Sequence, residues 1–263
     1  MKKEDIKVVI LCGGAGTRLK EETEFRPKPL VEISSRPVIW HIMKIYSHYG
    51  FNNFILCLGY KGEMIKEYFL NYEVMNNDFT VNLASKRQII YHNNDGIEKE
   101  SWNVTLVDTG LETETGGRVK KIESFIKEDV FMLTYGDGLA DINIRKVFEI
   151  HRESGKIGIL SAVHPLSRFG VIEYDGNGMV HGFKEKPSLE GLINGGFFVF
   201  KKEFFNYLTD NCTLEKEPLE KLAKEKQLAT YVHNGFWKCM DTHKDAKDLN
   251  RMWEEGKAPW KVW

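Results

Sequence analysis

Three stretches of this chain carry residue types that can do chemistry on anions. The first is Gly13-Gly-Ala-Gly-Thr-Arg18, a glycine-rich turn directly behind the apolar run Lys7–Cys12. Such a turn exposes backbone N–H groups that can hold phosphate oxygens. Arg18 adjoins it, and Arg26-Pro-Lys-Pro29 follows shortly after. Two or three cations beside exposed N–H groups form a polyphosphate cradle, and Pro27 and Pro29 give Lys28 a fixed anchor. The second is Asp137, between Gly136 and Gly138 at the end of the apolar run Asp129–Tyr135. A carboxylate at the C-terminal end of a buried strand faces the crevice where open α/β sheets bind ligands. The third is Asp241, which ends the run Phe236-Trp-Lys-Cys-Met240. Each also has a plainer reading: a strand-to-helix turn, a turn-forming Asp, and an N-cap for a helix at His243–Trp253.

Two standard phosphate motifs are absent. A P-loop needs Gly-Lys-Ser/Thr, and this turn has Gly16-Thr17-Arg18. The dinucleotide fingerprint needs a third glycine where Leu19 stands, which disfavours a nicotinamide-dependent oxidoreductase. No H-E-x-x-H or paired Cys/His spacing occurs, which argues against zinc. The histidines read as structural; His41 and His48 lie in an apolar helical pattern.

These residues need elements to position them. Lys7–Cys12 and Asn53–Leu58 are apolar without alternation, as in strands buried on both faces. Pro37 to Gly50 and Lys61 to Leu70 have helical spacing, so the first seventy residues read strand, helix, strand, helix. Residues 71–103 break the rhythm and read as an inserted hairpin or arm, with strand-like pieces at Phe79–Leu83 and Gln88–Tyr91. The pattern resumes with a strand at Val104–Asp108, a helix at Arg118–Ile126 and a strand at Asp129–Tyr135. A helix at Asn143–Glu153 and a strand at Ile157–Val163 follow. Gly170–Tyr174 and Met179–Lys184 form a hairpin around Asp175–Gly178. A strand at Asn194–Phe200, helices at Lys201–Leu208 and Leu214–Lys226, a strand at Ala229–His233 and a helix at His243–Trp253 complete the chain. The expectation is α/β: one domain over 1–263, with a mainly parallel mixed central sheet flanked by helices and β-hairpin appendages.

Leu11-Cys-Gly-Gly-Ala-Gly-Thr-Arg-Leu19 followed by Arg26-Pro-Lys-Pro29 resembles the signature of the sugar-1-phosphate nucleotidylyltransferases. The resemblance continues, in the family's order, through Tyr135-Gly-Asp-Gly138, Phe183-Lys-Glu-Lys-Pro187, Asn194-Gly-Gly196 and Trp237-Lys-Cys-Met-Asp241. It implies a Rossmann-like nucleotidyltransferase fold and attack of a sugar 1-phosphate oxygen on the α-phosphorus of a nucleoside triphosphate. Residues 1–140 would mainly bind the nucleotide, and 141–263 mainly the sugar phosphate. Leu11, Cys12, Gly13, Gly14, Ala15, Gly16, Thr17, Arg18, Lys28 and Gly136 would hold the nucleotide. Arg18, Lys28 and Asp137 would be catalytic. Thr115, Gly116, Gly117 and Arg118 could seat the base or ribose. Glu185, Lys186, Asn194, Gly195 and Gly196 would take the sugar phosphate. Asp137 and Asp241 would share Mg²⁺. Trp40–Gly50, Val107–Gly110, Thr115–Arg118 and Gly256–Trp263 most resemble the branch that joins cytidylyl groups to glucose 1-phosphate for surface polysaccharide. Transfer of another nucleotide, another sugar phosphate and a non-catalytic sugar-nucleotide sensor are the alternatives. A sensor would be expected to lose Lys28, Asp137 or Asp241, and all three are present.

Composition fits this reading. The 263 residues carry 37 Lys+Arg against 38 Asp+Glu, which argues against coating nucleic acid by bulk electrostatics. No stretch approaches ~20 uninterrupted apolar residues, so no membrane span is expected. Cys12, Cys57, Cys212 and Cys239 are scattered, and the N-terminal apolar run is short and contains Lys7. A cytoplasmic protein with reduced thiols is the expectation. Trp253, Trp260 and Trp263 crowd the C-terminus, as a tail packed on its own domain or as a subunit contact. The resemblance implies a homo-oligomer.

Overall fold

A computed structural model describes residues 5–84, 88–92, 100–165, 167, 169–185, 187 and 191–263. Lys186 and parts of the arm lie outside these residues. The strand Lys7–Cys12 is the centre of the molecule. Val8, Ile10 and Cys12 enter one hydrophobic cluster, and Val9 and Leu11 enter another on the opposite face. Unbroken apolarity therefore reports burial on both sides. The helix Val38–His48 covers the first face, with Pro37 fixing its entry and Gly50 ending it at φ 89°. The helices Thr115–Lys121 and Glu217–Lys224 cover the second face through Val119, Leu219 and Leu222.

Among the described residues seven strands form the main sheet, in the order Leu228–His233, Gly158–Val163, Ile193–Lys201, Val130–Tyr135, Lys7–Cys12, Asn53–Leu58, Asn103–Asp108. Only Ile193–Lys201 runs antiparallel to its neighbours. Lys7–Cys12 pairs in parallel with both Asn53–Leu58 and Val130–Tyr135, so the chain order reverses there. The C-terminal ends of strands at such a switch point open a ligand crevice. Both the Gly13–Gly16 turn and the Gly136–Gly138 turn leave the sheet at that crevice.

Several elements differ from expectation. The helix expected at Arg118 starts at Thr115 and ends at Lys121, because tertiary packing overrides the low helix propensity of Gly116 and Gly117. Lys202–Tyr207 is a 3-10 helix, with Phe204 stacked on Phe200 at 3.9 Å and Phe205 on Phe131 at 5.1 Å. The helix expected from Leu214 begins at Glu217, with Pro218 in its first turn. Two small sheets were not legible: Glu32–Ile33 with Arg36–Pro37, and Gly138–Ala140 with Trp237–Cys239. Among the described residues of the arm, Tyr72–Asn76 forms a short helix and Asp78–Asn82 pairs antiparallel with Gln88–His92.

The C-terminal tryptophans pack within the chain. Trp253, Trp260 and Trp263 lie 4.7 to 6.2 Å from the ring of buried His41. His41 Nε2 lies 3.1 Å from the Ile33 carbonyl, while Trp260 Nε1 donates to His41 Nδ1 at 3.4 Å. These partners require the neutral tautomer protonated on Nε2. Burial lowers the His41 pKa from 6.5 to about 4. Between those values the unfolded chain binds the extra proton, so stability falls as pH drops. Lowering the pH from 7 to 4 is expected to remove about 3 kcal/mol through this residue. Urea unfolding of the wild type and His41→Gln at both pH values measures it. Equal pH dependence in the two proteins would reject the assignment.

Candidate active site

A cavity of about 480 Å³ opens at the switch point. Its floor is the glycine turn, which needs glycine for two separate reasons. Gly16 has φ 63°, in the left-handed region. A Cβ on Gly13 would lie 2.1 Å from the Arg118 Nη1 atom. Arg118 is buried, and its guanidinium donates to the carbonyls of Gly13, Leu58, Gly110 and Leu111 and to the Thr109 hydroxyl. These acceptors satisfy its N–H groups without neutralising its charge. Arg118 thus holds the turn in place and puts positive potential beneath it.

The charged side chains meet at one edge of this cavity. Lys28 Nζ donates to Asp137 Oδ2 at 2.5 Å and to Asp241 Oδ1 at 2.6 Å. Arg18 Nη1 donates to Asp241 Oδ2 at 2.9 Å. Arg18 is 70% exposed, whereas Lys28, Asp137 and Asp241 are 14%, 22% and 16% exposed, so the inner trio is largely withdrawn from water. Burial alone would lower the Lys28 pKa, but Asp137 and Asp241 outweigh it and the net shift is upward. Burial would likewise raise Asp241, yet the Lys28 hydrogen bond and charge, with Arg18, pull it down. Each partner keeps the other ionised.

Backbone pairing explains how two acids far apart in sequence meet. Cys239 pairs with Gly138 in the small sheet, and Met240 N donates to the Asp137 carbonyl at 2.9 Å. Asp241 is then delivered directly opposite Asp137. The following helix, His243–Glu254, is capped by Thr242 with Asp245 in a reciprocal capping box. Asp241 is therefore not spent on capping. Ligand atoms of Asp137, Cys239 and Asp241 lie within 4.8 Å of one another. Burial, then the charge of Asp137, raises the Cys239 pKa and keeps it a thiol. Two carboxylates fit a hard divalent cation, while a protonated thiol is not a ligand for one.

Leu11 to Arg18, Lys28, Thr115, Arg118, Gly136 and Asp137 all line the cavity. Gly116 and Gly117 are in the first turn of their helix, packed against Asp210 and Cys212. Arg26, the third cation near the turn, pairs instead with Glu32 at 3.0 Å and does not line the cavity. Asn194 joins the Tyr135 wall: its Nδ2 donates to the Tyr135 hydroxyl at 3.1 Å and its Oδ1 accepts from Gly196 N at 2.9 Å. The Gly195 carbonyl accepts from Trp237 Nε1 at 2.8 Å. Glu185 is exposed beyond the strand Val180–Lys184. Lys186 lies outside the described residues. The sequence by itself marks no role for Tyr135, Cys239 or Glu215. The first two fall inside recognised motifs, but nothing local marks Glu215.

The nucleotidyl transferase family profile matches residues 7–255. The chain belongs to the nucleotidyl transferase family. Among the members of this family, a protein of Salmonella typhi named glucose-1-phosphate cytidylyltransferase is 47% identical over 261 residues, 98% of this chain and 100% of that protein. A Bacillus subtilis protein named probable glucose-1-phosphate cytidylyltransferase is 45% identical over 98% of this chain and 100% of its own length. HddC from Yersinia pseudotuberculosis, solved with GMP-PN, superposes with TM-score 0.67 at 22% identity, over 94% of this chain and 99% of its own. An apo UDP-glucose pyrophosphorylase superposes with TM-score 0.67 at 15% identity, over 96% and 99% of the two chains. These two structures establish the nucleotidyl transferase fold. Among the described residues no helix is long and apolar enough to cross a membrane.

Proposed function

We propose that this protein transfers a cytidylyl group from CTP to α-D-glucose 1-phosphate, forming CDP-glucose and releasing pyrophosphate. The observation that carries this reading is the full-length 47% identity to the Salmonella typhi cytidylyltransferase. The convergence of Lys28, Asp137 and Asp241 beside the glycine turn supports it. A sugar phosphate oxygen attacks the α-phosphorus while the bond to the β-phosphate oxygen breaks. The attacking phosphate is already anionic, so no general base is required. Positioning and charge stabilisation are the main tasks.

The N–H groups of Gly13 to Gly16 face the triphosphate, with Arg118 fixing their direction. Lys28 stands where it can cancel charge developing at the α-phosphate, and Arg18 where it can follow the departing pyrophosphate. Magnesium is the cation we assign to Asp137 and Asp241; when bound, it supplies positive charge to phosphate oxygens. Thr115 belongs to the nucleoside wall, and Glu185, Lys186 and Asn194-Gly195-Gly196 to the sugar side. Residues 1–140 and 141–263 are the nucleotide and sugar halves of one domain. The product is an activated sugar of the kind that surface polysaccharide synthesis consumes. Four free cysteines, three of them buried, support a reducing cytoplasmic setting. The exposed Phe79, Ile90, Ile172 and Phe183 on the two hairpins support a homo-oligomer.

Pyrophosphate release from glucose 1-phosphate and Mg²⁺ with CTP, UTP, dTTP, ATP or GTP tests the reaction. CTP should give the highest kcat/KM. A faster reaction with another nucleotide would change the base assignment, and no release with any would favour a sensor.

A further inference from the structure

The side chain of Glu215 joins two walls of the cavity without lining it. Its Oε1 accepts from the Tyr135 hydroxyl at 2.5 Å, and its Oε2 accepts from the Thr115 hydroxyl at 2.8 Å. Thr115 and Tyr135 both line the cavity. Thr115 opens the helix of the nucleoside wall. Tyr135 ends the strand that continues into Gly136 and Asp137.

Each arm of this bridge is held from behind. The Thr115 hydroxyl accepts from Leu214 N at 2.9 Å, and Gly117 N donates to the Cys212 carbonyl at 3.0 Å. A Cβ on Gly116 would lie 2.4 Å from Cys212 Sγ, and one on Gly117 2.1 Å from the Asp210 carbonyl oxygen. The two glycines thus let residues 210–214 lie directly on the helix start, which delivers Glu215 to the cavity rim. The Tyr135 hydroxyl accepts from Asn194 Nδ2 at 3.1 Å, and its ring lies edge-on to Phe198 at 5.8 Å. A Cβ on Gly196 would meet this ring at 2.5 Å. One carboxylate taking two hydroxyl donors makes both hydrogen bonds charge-assisted.

We propose that Glu215 is a positioning residue that fixes the spacing between the nucleoside wall at Thr115 and the acid-bearing loop at Tyr135–Asp137. This rests on reading the cavity as the nucleotide site. In-line transfer tolerates little error in that spacing, since a shift of about 1 Å can cost on the order of 10²-fold. Glu215 touches no reacting atom in this scheme. It acts through Tyr135 and Thr115.

The test combines exchange and kinetics on wild type, Glu215→Ala, Glu215→Gln, Tyr135→Phe/Thr115→Val and the triple variant. Hydrogen exchange on the ligand-free protein reads the amides of Gly117 and Gly136, which are hydrogen-bonded to Cys212 and Leu11. Glu215→Ala should speed exchange at both by about ten-fold, and Glu215→Gln, which keeps an acceptor, should restore most of the protection. The kcat/KM for CTP should fall by roughly 10-fold to 10²-fold in Glu215→Ala and recover in Glu215→Gln. In the Tyr135→Phe/Thr115→Val background, Glu215→Ala should add no further loss. Unchanged exchange at either amide, unchanged kcat/KM, or a full additional loss in that background would each overturn the proposal. A wild type inactive with every nucleotide would overturn the functional reading instead, while the exchange comparison would still decide whether Glu215 couples the walls.

Discussion

Asp137→Asn and Asp241→Asn should each lower kcat by at least about 10²–10³-fold while leaving the fold intact. The two carboxylates are the negative half of the charge cluster. Lys28 Nζ bonds to both at 2.5 and 2.6 Å, so losing either leaves the ammonium drawn to one side. The same substitution replaces a carboxylate at the position assigned to magnesium by a neutral amide, which keeps an oxygen donor but removes one of the two negative charges offered by Asp137 and Asp241. The fold should persist because main chain, not these side chains, holds the segments together. Met240 N bonds to the Asp137 carbonyl, Gly136 N to the Leu11 carbonyl, and Thr242 caps the next helix. Pyrophosphate release measures turnover, and urea unfolding checks the fold. Either variant retaining wild-type turnover would remove both acids from the proposed mechanism.

Lys28→Met should reduce turnover by about 10²–10³-fold and at the same time strengthen metal binding to the nucleotide-free protein. Two cations, Lys28 and Arg18, already offset the two acids. A divalent ion arriving alone must displace the Lys28 ammonium, whereas an ion arriving with a triphosphate gives that ammonium a new partner. Methionine keeps the length of the side chain but removes the competitor. Burial then acts on Asp241 with less opposition, so its pKa should move back up from its present lowered position. That contribution to stability is present above the ordinary carboxylate pKa and is lost as pH falls through the lowered folded value. Lys28→Met should therefore be less sensitive to acid in that range. Titration with Mn²⁺, following the free ion by electron paramagnetic resonance, measures the metal arm. Equal Mn²⁺ affinity in wild type and variant would show that Lys28 does not contest the cation position.

Much of the framework is legible in the residues themselves. Lys7–Cys12 and Asn53–Leu58 announce buried parallel strands because apolarity without alternation has no other cheap location. The hairpin at Val171–Tyr174 and Val180–Lys184 follows from Asp175 to Gly178, whose last glycine takes φ 83°. The 3-10 helix at Lys202–Tyr207 is not legible, because the stacking of Phe204 and Phe205 on distant strands selects it. The same is true of the Gly138–Ala140 and Trp237–Cys239 pairing. Strands of three residues leave no periodic trace, yet this pair decides where Asp241 goes.

The sequence alone therefore determined the local parts: a glycine turn behind a buried strand, Lys28 held between two prolines, and two acids at the ends of apolar runs. Their order along the chain was enough to indicate the family, because each part depends only on neighbours a few residues away. The tertiary structure decided which parts meet. It brought Asp241 and Lys28 to Asp137, turned Arg26 away to Glu32 and used Arg118 to brace the turn. It also set Glu215 across Thr115 and Tyr135. The physical reason is that these contacts join residues up to 213 positions apart, and sheet order and burial, not local propensity, bring such residues together.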